Sequence, residues 1–130
     1  MIVIDASLAL ELFLVTPRAA SIEKRLDDAG RGLVAPEVID LEILQTLRRL
    51  ARDNRLPAFR VEAALDIFRH APIERYSHRL LHARIWALKE NLTAYDAAYF
   101  ALAELIDAPL WTRDEKFRSV PGHGVRIEIL

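Results

Sequence analysis

Met1-Ile2-Val3-Ile4-Asp5-Ala6-Ser7 is the stretch that decides the fold. Three β-branched apolar residues run straight into an aspartate. A short all-apolar run of this kind reads as a strand buried on both faces, as in a parallel sheet. Asp5 then stands at the carboxyl end of that strand, the edge at which open parallel sheets bind their ligands. Aspartate is also a favoured N-cap. The stretch alone therefore leaves two roles open for Asp5: chemistry at the sheet edge, or capping of a helix over Ala6–Leu14.

The rest of the chain alternates helices with short strands. Ala6 to Val15 is apolar nearly all round and reads as a mostly buried helix. Thr16-Pro17 breaks it, and Ala19–Ala29 follows as an amphipathic helix ended by Gly30-Arg31-Gly32. Leu33-Val34-Ala35 is the second strand, closed by Pro36. From Val38 to Asp53, Ile39, Ile43, Leu44, Leu47, Leu50 and Ala51 recur at helical spacing. At ~100° per residue Glu42 falls to one side of that face, in line with Thr46 and Arg49. After the turn Asp53–Pro57, a helix presents Phe59, Val61, Ala64, Leu65 and Phe68 as its apolar positions. Ile73–Tyr76 suits an edge strand. Ser77 caps a helix over His78–Glu90, with Leu81, Ile85 and Leu88 or Trp86 inward. Thr93 caps another from Ala94 to about Ile106, and Asp96 takes the capping-box position. Leu110–Thr112 is a strand, and Val125–Leu130 alternates as a last one. The prediction is one α/β domain over residues 1–130: a three-layer sandwich with a central parallel sheet, strand one in the middle, and helices on both faces.

Composition narrows the function. The 130 residues are 52% hydrophobic, ample for one packed core. Cysteine is absent, which excludes disulfides, thiolate zinc sites and cysteine nucleophiles. The formal net charge is −1, so a general basic footprint for nucleic acid is missing and any such contact must be local or metal-mediated. Arginine supplies 15 of the 18 basic residues, and arginine is the better phosphate fork. No apolar run is long enough to span a bilayer. Asp5 and Glu11 interrupt the first apolar stretch, so no signal peptide is read and the expected location is the cytoplasm.

Four acids stand out by position. Asp5 ends strand one, Glu42 lies in the helix after strand two, Asp96 is in the first turn of a late helix, and Asp114 follows the strand Leu110–Thr112. Strand ends and helix starts collect on one edge of a parallel sheet. Clustered carboxylates repel one another without a counter-charge. A divalent cation with oxygen ligands is one remedy. The plain alternative is three N-caps and a surface glutamate pairing with an arginine. Other groups read more simply. His78 and His82 lack a third ligand and suit a solvated helix face. Ser7 has no histidine partner and can turn toward Asp5. Trp86, Trp111 and the phenylalanines read as core. Arg113 and Lys116 suit either phosphate contact or a solvated turn. Tyr99, with the neighbouring alanine-rich face, suits core packing or a dimer interface.

Four blocks carry a resemblance. They are Met1–Ser7, then Ala35-Pro36-Glu37 with Glu42, then Leu92-Thr93-Ala94-Tyr95-Asp96-Ala97-Ala98-Tyr99, then Leu110-Trp111-Thr112-Arg113-Asp114-Glu115-Lys116-Phe117. In order and over essentially the whole chain, they resemble the motifs of the PIN-domain family, most closely its VapC-type toxins from bacterial toxin–antitoxin pairs. The resemblance implies a Mg²⁺- or Mn²⁺-dependent endoribonuclease acting on structured RNA and leaving 5′-phosphate and 3′-hydroxyl ends. It implies a homodimer and a small cognate antitoxin of the VapB type that blocks the site. The family's acidic metal ligands fall on Asp5, Glu42, Asp96 and Asp114, and its polar residue near the last acid on Thr112. Ser7 and Arg113 are secondary candidates. One departure is Phe117, where some members carry a further acid, and this puts a second metal site in doubt. A catalytically inactive interaction module of the same fold is the alternative. A phospho-acceptor receiver would need an acidic pair after strand one and an acceptor aspartate after a central strand, and neither is present.

Overall fold

Ile2, Val3 and Ile4 are each 0% exposed, so both faces of their strand are covered. This strand, β1 (Ile2–Ile4), is the middle of five in a computed structural model that describes residues 1–130. On one side it pairs with β2 (Leu33–Pro36), which pairs with β3 (Ile73–Tyr76) at the edge. On the other it pairs with β4 (Leu110–Thr112), which pairs with β5 (Ile127–Ile129). Every pairing is parallel, and Val3 lies opposite both Val34 and Leu110. The parallel pairing and the central place of β1 match the sequence expectation. Parallel strands bury both faces because their crossovers are helices, and all three residues of β1 are apolar for that reason.

Six helices form those crossovers: α1 (Ala6–Phe13), α2 (Ala19–Ala29), α3 (Val38–Arg52), α4 (Ala58–His70), α5 (His82–Ala87) and α6 (Ala94–Leu105). Helix α1 packs on α2, α3 and α4, while α6 crosses β1, β2 and β4 with α5 beside it. The alanines of α6 let it lie close to the sheet, and Ala97 to Ala103 are all buried. One apolar cluster runs through the whole assembly.

Helix ends follow the sequence signals, with one surprise. Gly30 takes φ +57° at the end of α2, where a residue without a Cβ fits best. Helices α1, α3 and α6 end on left-handed residues that are not glycine: Val15, Asn54 and Asp107. At the end of α1 the Val15 N–H reaches Leu12 O and the Thr16 N–H reaches Glu11 O, a Schellman motif. A β-branched residue in this conformation is strained, and the two hydrogen bonds offset part of it.

Several expectations are corrected. The helix expected over His78–Glu90 is a 3₁₀ turn, His78–Leu81, followed by the short α5. In a 3₁₀ turn residues three apart eclipse, so His78 and Leu81 both face the body. His78 is therefore no solvated helix face: its Nε2 accepts from the Val38 N–H at 2.9 Å. Trp86 is not core but 70% exposed, and Leu88 takes the inward place. Phe59, placed on the apolar face of α4, is 74% exposed. Of the two roles open to Tyr99, core packing is the one found, with 1% exposure. The last strand is also shorter than read, three residues within Val125–Leu130.

Phe117 and Phe59 test this packing against each other. Phe117 is fully buried; Phe117→Ala should cost about 3–5 kcal/mol of unfolding free energy in urea titration. Phe59→Ala should stay within ~0.5 kcal/mol of wild type, as a surface change does. Equal losses for the two would contradict the placement of α4 and of the turn after β4.

Candidate active site

Asp5 comes off the end of β1 into the first turn of α1, and both sequence roles meet there. Its Oδ1 accepts from the Leu8 N–H at 3.0 Å, which makes it the N-cap of α1. The same oxygen accepts from Ser7 Oγ at 2.7 Å, and Oδ2 accepts from Thr112 Oγ1 at 2.5 Å. Thr112 is the last residue of β4, the strand beside β1, and is itself fully buried. Burial pushes the Asp5 carboxyl above the ordinary 3.8. The three donors pull it down, and the charge of Asp114 adds to the rise. The net shift is upward.

Asp114 and Asp96 share a lysine. Thr112 Oγ1 also accepts from the Asp114 N–H at 2.9 Å, so one hydroxyl positions two of the acids. Asp114 caps the short 3₁₀ turn Glu115–Ser119 through the Lys116 N–H at 3.0 Å. That turn swings Lys116 back over the site. Its Nζ lies 2.8 Å from Asp96 Oδ2 and 2.9 Å from Asp114 Oδ2. Partial burial works to raise the Asp114 pKa, but hydrogen bonds and charge from Lys116 hold it below the ordinary value. For Lys116 burial works downward, yet the two carboxylates leave its ammonium above the usual lysine range. Asp96 is fixed at the start of α6 by Thr93: its N–H donates to Thr93 Oγ1 at 3.2 Å, and that hydroxyl donates back to Oδ2 at 3.1 Å. This is the cap read from the sequence.

Glu42 approaches from α3. Burial raises its pKa. The Tyr99 hydroxyl lowers it, the charges of Asp96 and Asp5 add to the rise, and Lys116 lowers it. Glu42 Oε1 and Tyr99 Oη are both buried, and neither has a hydrogen-bond partner of good geometry although they face each other. Burial beside this carboxylate drives the Tyr99 phenol strongly upward, so it stays a neutral hydroxyl. The four acids thus feel one another's charge, though they come from four separate segments. No three carboxylate or imidazole side chains are drawn into a ready cage for an ion, because Lys116 stands between two of the acids and Asp5 is turned to its hydroxyls.

A groove of about 560 Å³ leads away from Ser7 and Glu42 along α3, past Leu41, Thr46 and Arg49, with Tyr95 on its rim. The line of Glu42, Thr46 and Arg49 inferred from helical periodicity is one wall of it. Arg113 is engaged elsewhere: its guanidinium meets Glu11 at 3.3 Å and Leu130 O at 2.8 Å. Only its backbone N–H serves the site, donating to Ser7 Oγ at 3.1 Å. Three contributors were not legible as such. Lys116 reads equally as a phosphate contact or a solvated turn, Tyr99 as core packing or a dimer face, and His78 as a solvated helix face, although it accepts from the first turn of the helix that carries Glu42. The DEKF spacing could have signalled Lys116, since a lysine two residues after a capping aspartate folds back over it. His78 has no local signal, because its partner is 40 residues away.

The family model described as PIN domain matches residues 2–123. A VapC ribonuclease of Mycobacterium bovis is 41% identical over 114 residues, which span 88% of this chain and 86% of that protein. Ribonuclease VapC12 of Mycobacterium tuberculosis is 32% identical over 130 residues, 100% of this chain and 99% of its own. A chain in the crystal structure of VapBC2 from Rickettsia felis, bound to a promoter DNA fragment, has a TM-score of 0.70 at 15% identity. The match covers 99% of this chain and 98% of that one, and at this identity the likeness is one of fold.

The raised carboxyls set a pH dependence. Asp5 and Glu42 hold their protons more tightly folded than unfolded. Their contribution to stability is full below the ordinary values, 3.8 and 4.5, and is lost as pH rises through the raised ones. Asp114 runs the other way, contributing above 3.8 and losing this as pH falls through its lowered value. In chelator, the melting temperature should therefore fall as pH climbs out of the carboxylate range toward neutrality. Asp5→Asn keeps an acceptor for Ser7 and Leu8 and a donor toward Thr112, and carries no charge. Its melting temperature at neutral pH should equal or exceed wild type, with a flatter slope. Parallel slopes for the two proteins would rule this out.

Proposed function

The chain belongs to the PIN-domain family, and on that premise we propose that it is a metal-dependent endoribonuclease, the toxin of a VapBC-type toxin–antitoxin pair. The observation that carries this is the edge of the sheet itself. A buried carboxylate ends the central strand, Asp114 and Glu42 couple to it electrostatically from remote segments, and Asp96 couples to Glu42. A fold that needed only helix caps would not require the uncapped, half-buried Glu42 with an unpartnered oxygen.

An all-oxygen donor set of this charge suits a hard divalent cation, Mg²⁺ or Mn²⁺. Asp5, Glu42, Asp96 and Asp114 would hold it. When bound, such an ion lowers the pKa of water and neutralises charge on a phosphoryl oxygen. The chain's own part is to aim and to exclude. Thr112 and Ser7 fix the Asp5 carboxylate so that its oxygens need no reorganisation. Tyr99, kept neutral, turns a hydroxyl toward Glu42. The groove beside Glu42 gives an RNA strand a track in which Arg49 meets phosphate and Tyr95 meets a base. Hydrolysis on this reading leaves a 5′-phosphate and a 3′-hydroxyl, and no side chain is assigned as general base.

Partners follow from the relatives. The structural neighbours include VapBC2 from Rickettsia felis and a toxin–antitoxin complex from Klebsiella pneumoniae, and this chain is proposed to have a VapB-type antitoxin that covers the same edge. A homodimer in the cytoplasm completes the proposal. No helix is long and apolar enough to cross a membrane.

Two measurements test it. Asp5→Asn and Asp96→Asn should each lower Mg²⁺-dependent RNA cleavage by roughly 100-fold or more, with circular dichroism unchanged. Glu62→Gln, on the exposed face of α4, should cleave like wild type. Full activity in Asp5→Asn at matched Mg²⁺ would discard the site. Light scattering at micromolar concentration should give a dimer, and a monomer throughout would discard that part.

A further inference from the structure

Helix α3 lines one wall of the groove with Glu42, Thr46 and Arg49, yet its own sequence does not cap it. Glu37, at the N-cap, is helical in φ and ψ, and its side chain bonds no N–H of the first turn. Serine, threonine, asparagine or aspartate is the usual residue at such a position. The first N–H groups of a helix need acceptors from outside it, and here the exit of the edge strand supplies them. Tyr76 O accepts from the Glu37 N–H at 3.1 Å, and His78 Nε2 accepts from the Val38 N–H at 2.9 Å.

His78 is held in place for this contact. Ser77 caps its 3₁₀ turn through the Arg79 N–H at 3.3 Å, and Leu81, which closes the turn, is buried. An imidazole accepts through Nε2 only as the neutral ring with its proton on Nδ1. Once protonated, it sets a donor against the Val38 donor, at the positive end of the helix. Histidine is the side chain that ordinarily changes charge between pH 5 and 8. The other charges on the elements around it are engaged or exposed. Asp40 of α3 pairs with Arg75 of β3 at 3.0 Å, Arg84 of α5 pairs with Glu104 of α6, and Asp96 of α6 meets Lys116. Glu37, Glu74 and Arg79 are exposed. His82, also exposed, is the one other imidazole among them.

Val38 lies one helical turn before Glu42. Helix geometry pairs the Val38 carbonyl with the Glu42 N–H, and both residues line the groove. We propose that His78 is a positioning residue for the site. As a remote cap it fixes the first turn of α3, and with it Glu42, and its protonation releases that turn in mildly acidic solution. The consequence for RNA cleavage rests on the nuclease reading; the cap itself does not.

Nitrogen-15 spectra and amide exchange of the full-length chain test the proposal. At about pH 7.5, above the ordinary histidine range, His78 should show the Nδ1–H tautomer. At that pH the Val38 amide should be protected in wild type and in His78→Gln, whose side-chain carbonyl accepts whatever the pH. In His78→Ala its protection should fall about tenfold, as for a lost cap. At about pH 5.5 wild type should drop toward His78→Ala, while His78→Gln keeps its protection. His82→Gln should follow wild type throughout. An Nε2–H tautomer overturns the proposal, and so does wild-type Val38 protection that is equal at the two pH values after correction for intrinsic exchange. Should His78→Ala fail to fold, the tautomer and the wild-type pH comparison still decide. RNA cleavage by the same samples separates the two levels of inference. Between the higher and the lower pH, kcat should fall more steeply in wild type than in His78→Gln, and equal falls overturn the positioning role. If none of the samples cleaves RNA at either pH, the nuclease reading fails, and the exchange data alone decide the cap.

Discussion

A carboxylate buried at the end of the central strand is the constraint on which this molecule depends. Asp5 is 6% exposed, and an ionised group so placed is costly unless its oxygens are hydrogen-bonded. Three donors meet it. Leu8 belongs to the helix that Asp5 starts, Ser7 to the same turn, and Thr112 to the neighbouring strand. The same three bonds therefore start α1, lock β1 to β4 at its carboxyl end, and orient the acid. Structure and chemistry are not alternatives at this position. The cap is what holds the carboxylate in a fixed orientation.

The remaining electrostatics follow from that placement. The Thr112 hydroxyl that donates to Asp5 also accepts from the Asp114 N–H, which brings a second acid alongside. Asp114 in turn draws in Lys116, and Lys116 draws in Asp96. The chain of contacts stops at Glu42, which is reached by charge and by Tyr99 but not by a cation. One flank thus holds a cation shared by two acids and the other holds none, and the cation-free flank is the one that opens toward the groove along α3.

Much of this was legible in the sequence, and the reasons are specific. β1 could be read because a strand with both faces covered has no polar position to spare. The caps at Asp5, Thr93 and Ser77 could be read because a cap is local, its donor lying two or three residues on. Glu42 could be placed at the border of the apolar face because helical periodicity sets its angle from Ile39 and Ile43. What failed was whatever depended on remote partners. His78 became an acceptor because a tight 3₁₀ turn aimed it at Val38. Trp86 and Phe59 turned outward because neighbouring leucines and valines already filled the core. The pairing of Lys116 with Asp96 belongs to tertiary structure, whereas its pairing with Asp114 was within reach of local reasoning.

The Thr112–Asp5 bond joins residues 107 positions apart, and the Arg113–Ser7 bond joins residues 106 apart. Closing so long a loop costs little more entropy than closing one of half the length. The wait for its far end is another matter. At roughly 5–20 residues per second, a ribosome has Asp5 in hand for roughly 5–20 seconds before Thr112 exists. Throughout that interval β1 lacks its β4 neighbour, and Asp114 and Lys116 have yet to be made. On the nuclease reading, the site is incomplete in the nascent chain until β4 and the turn that follows it have been made.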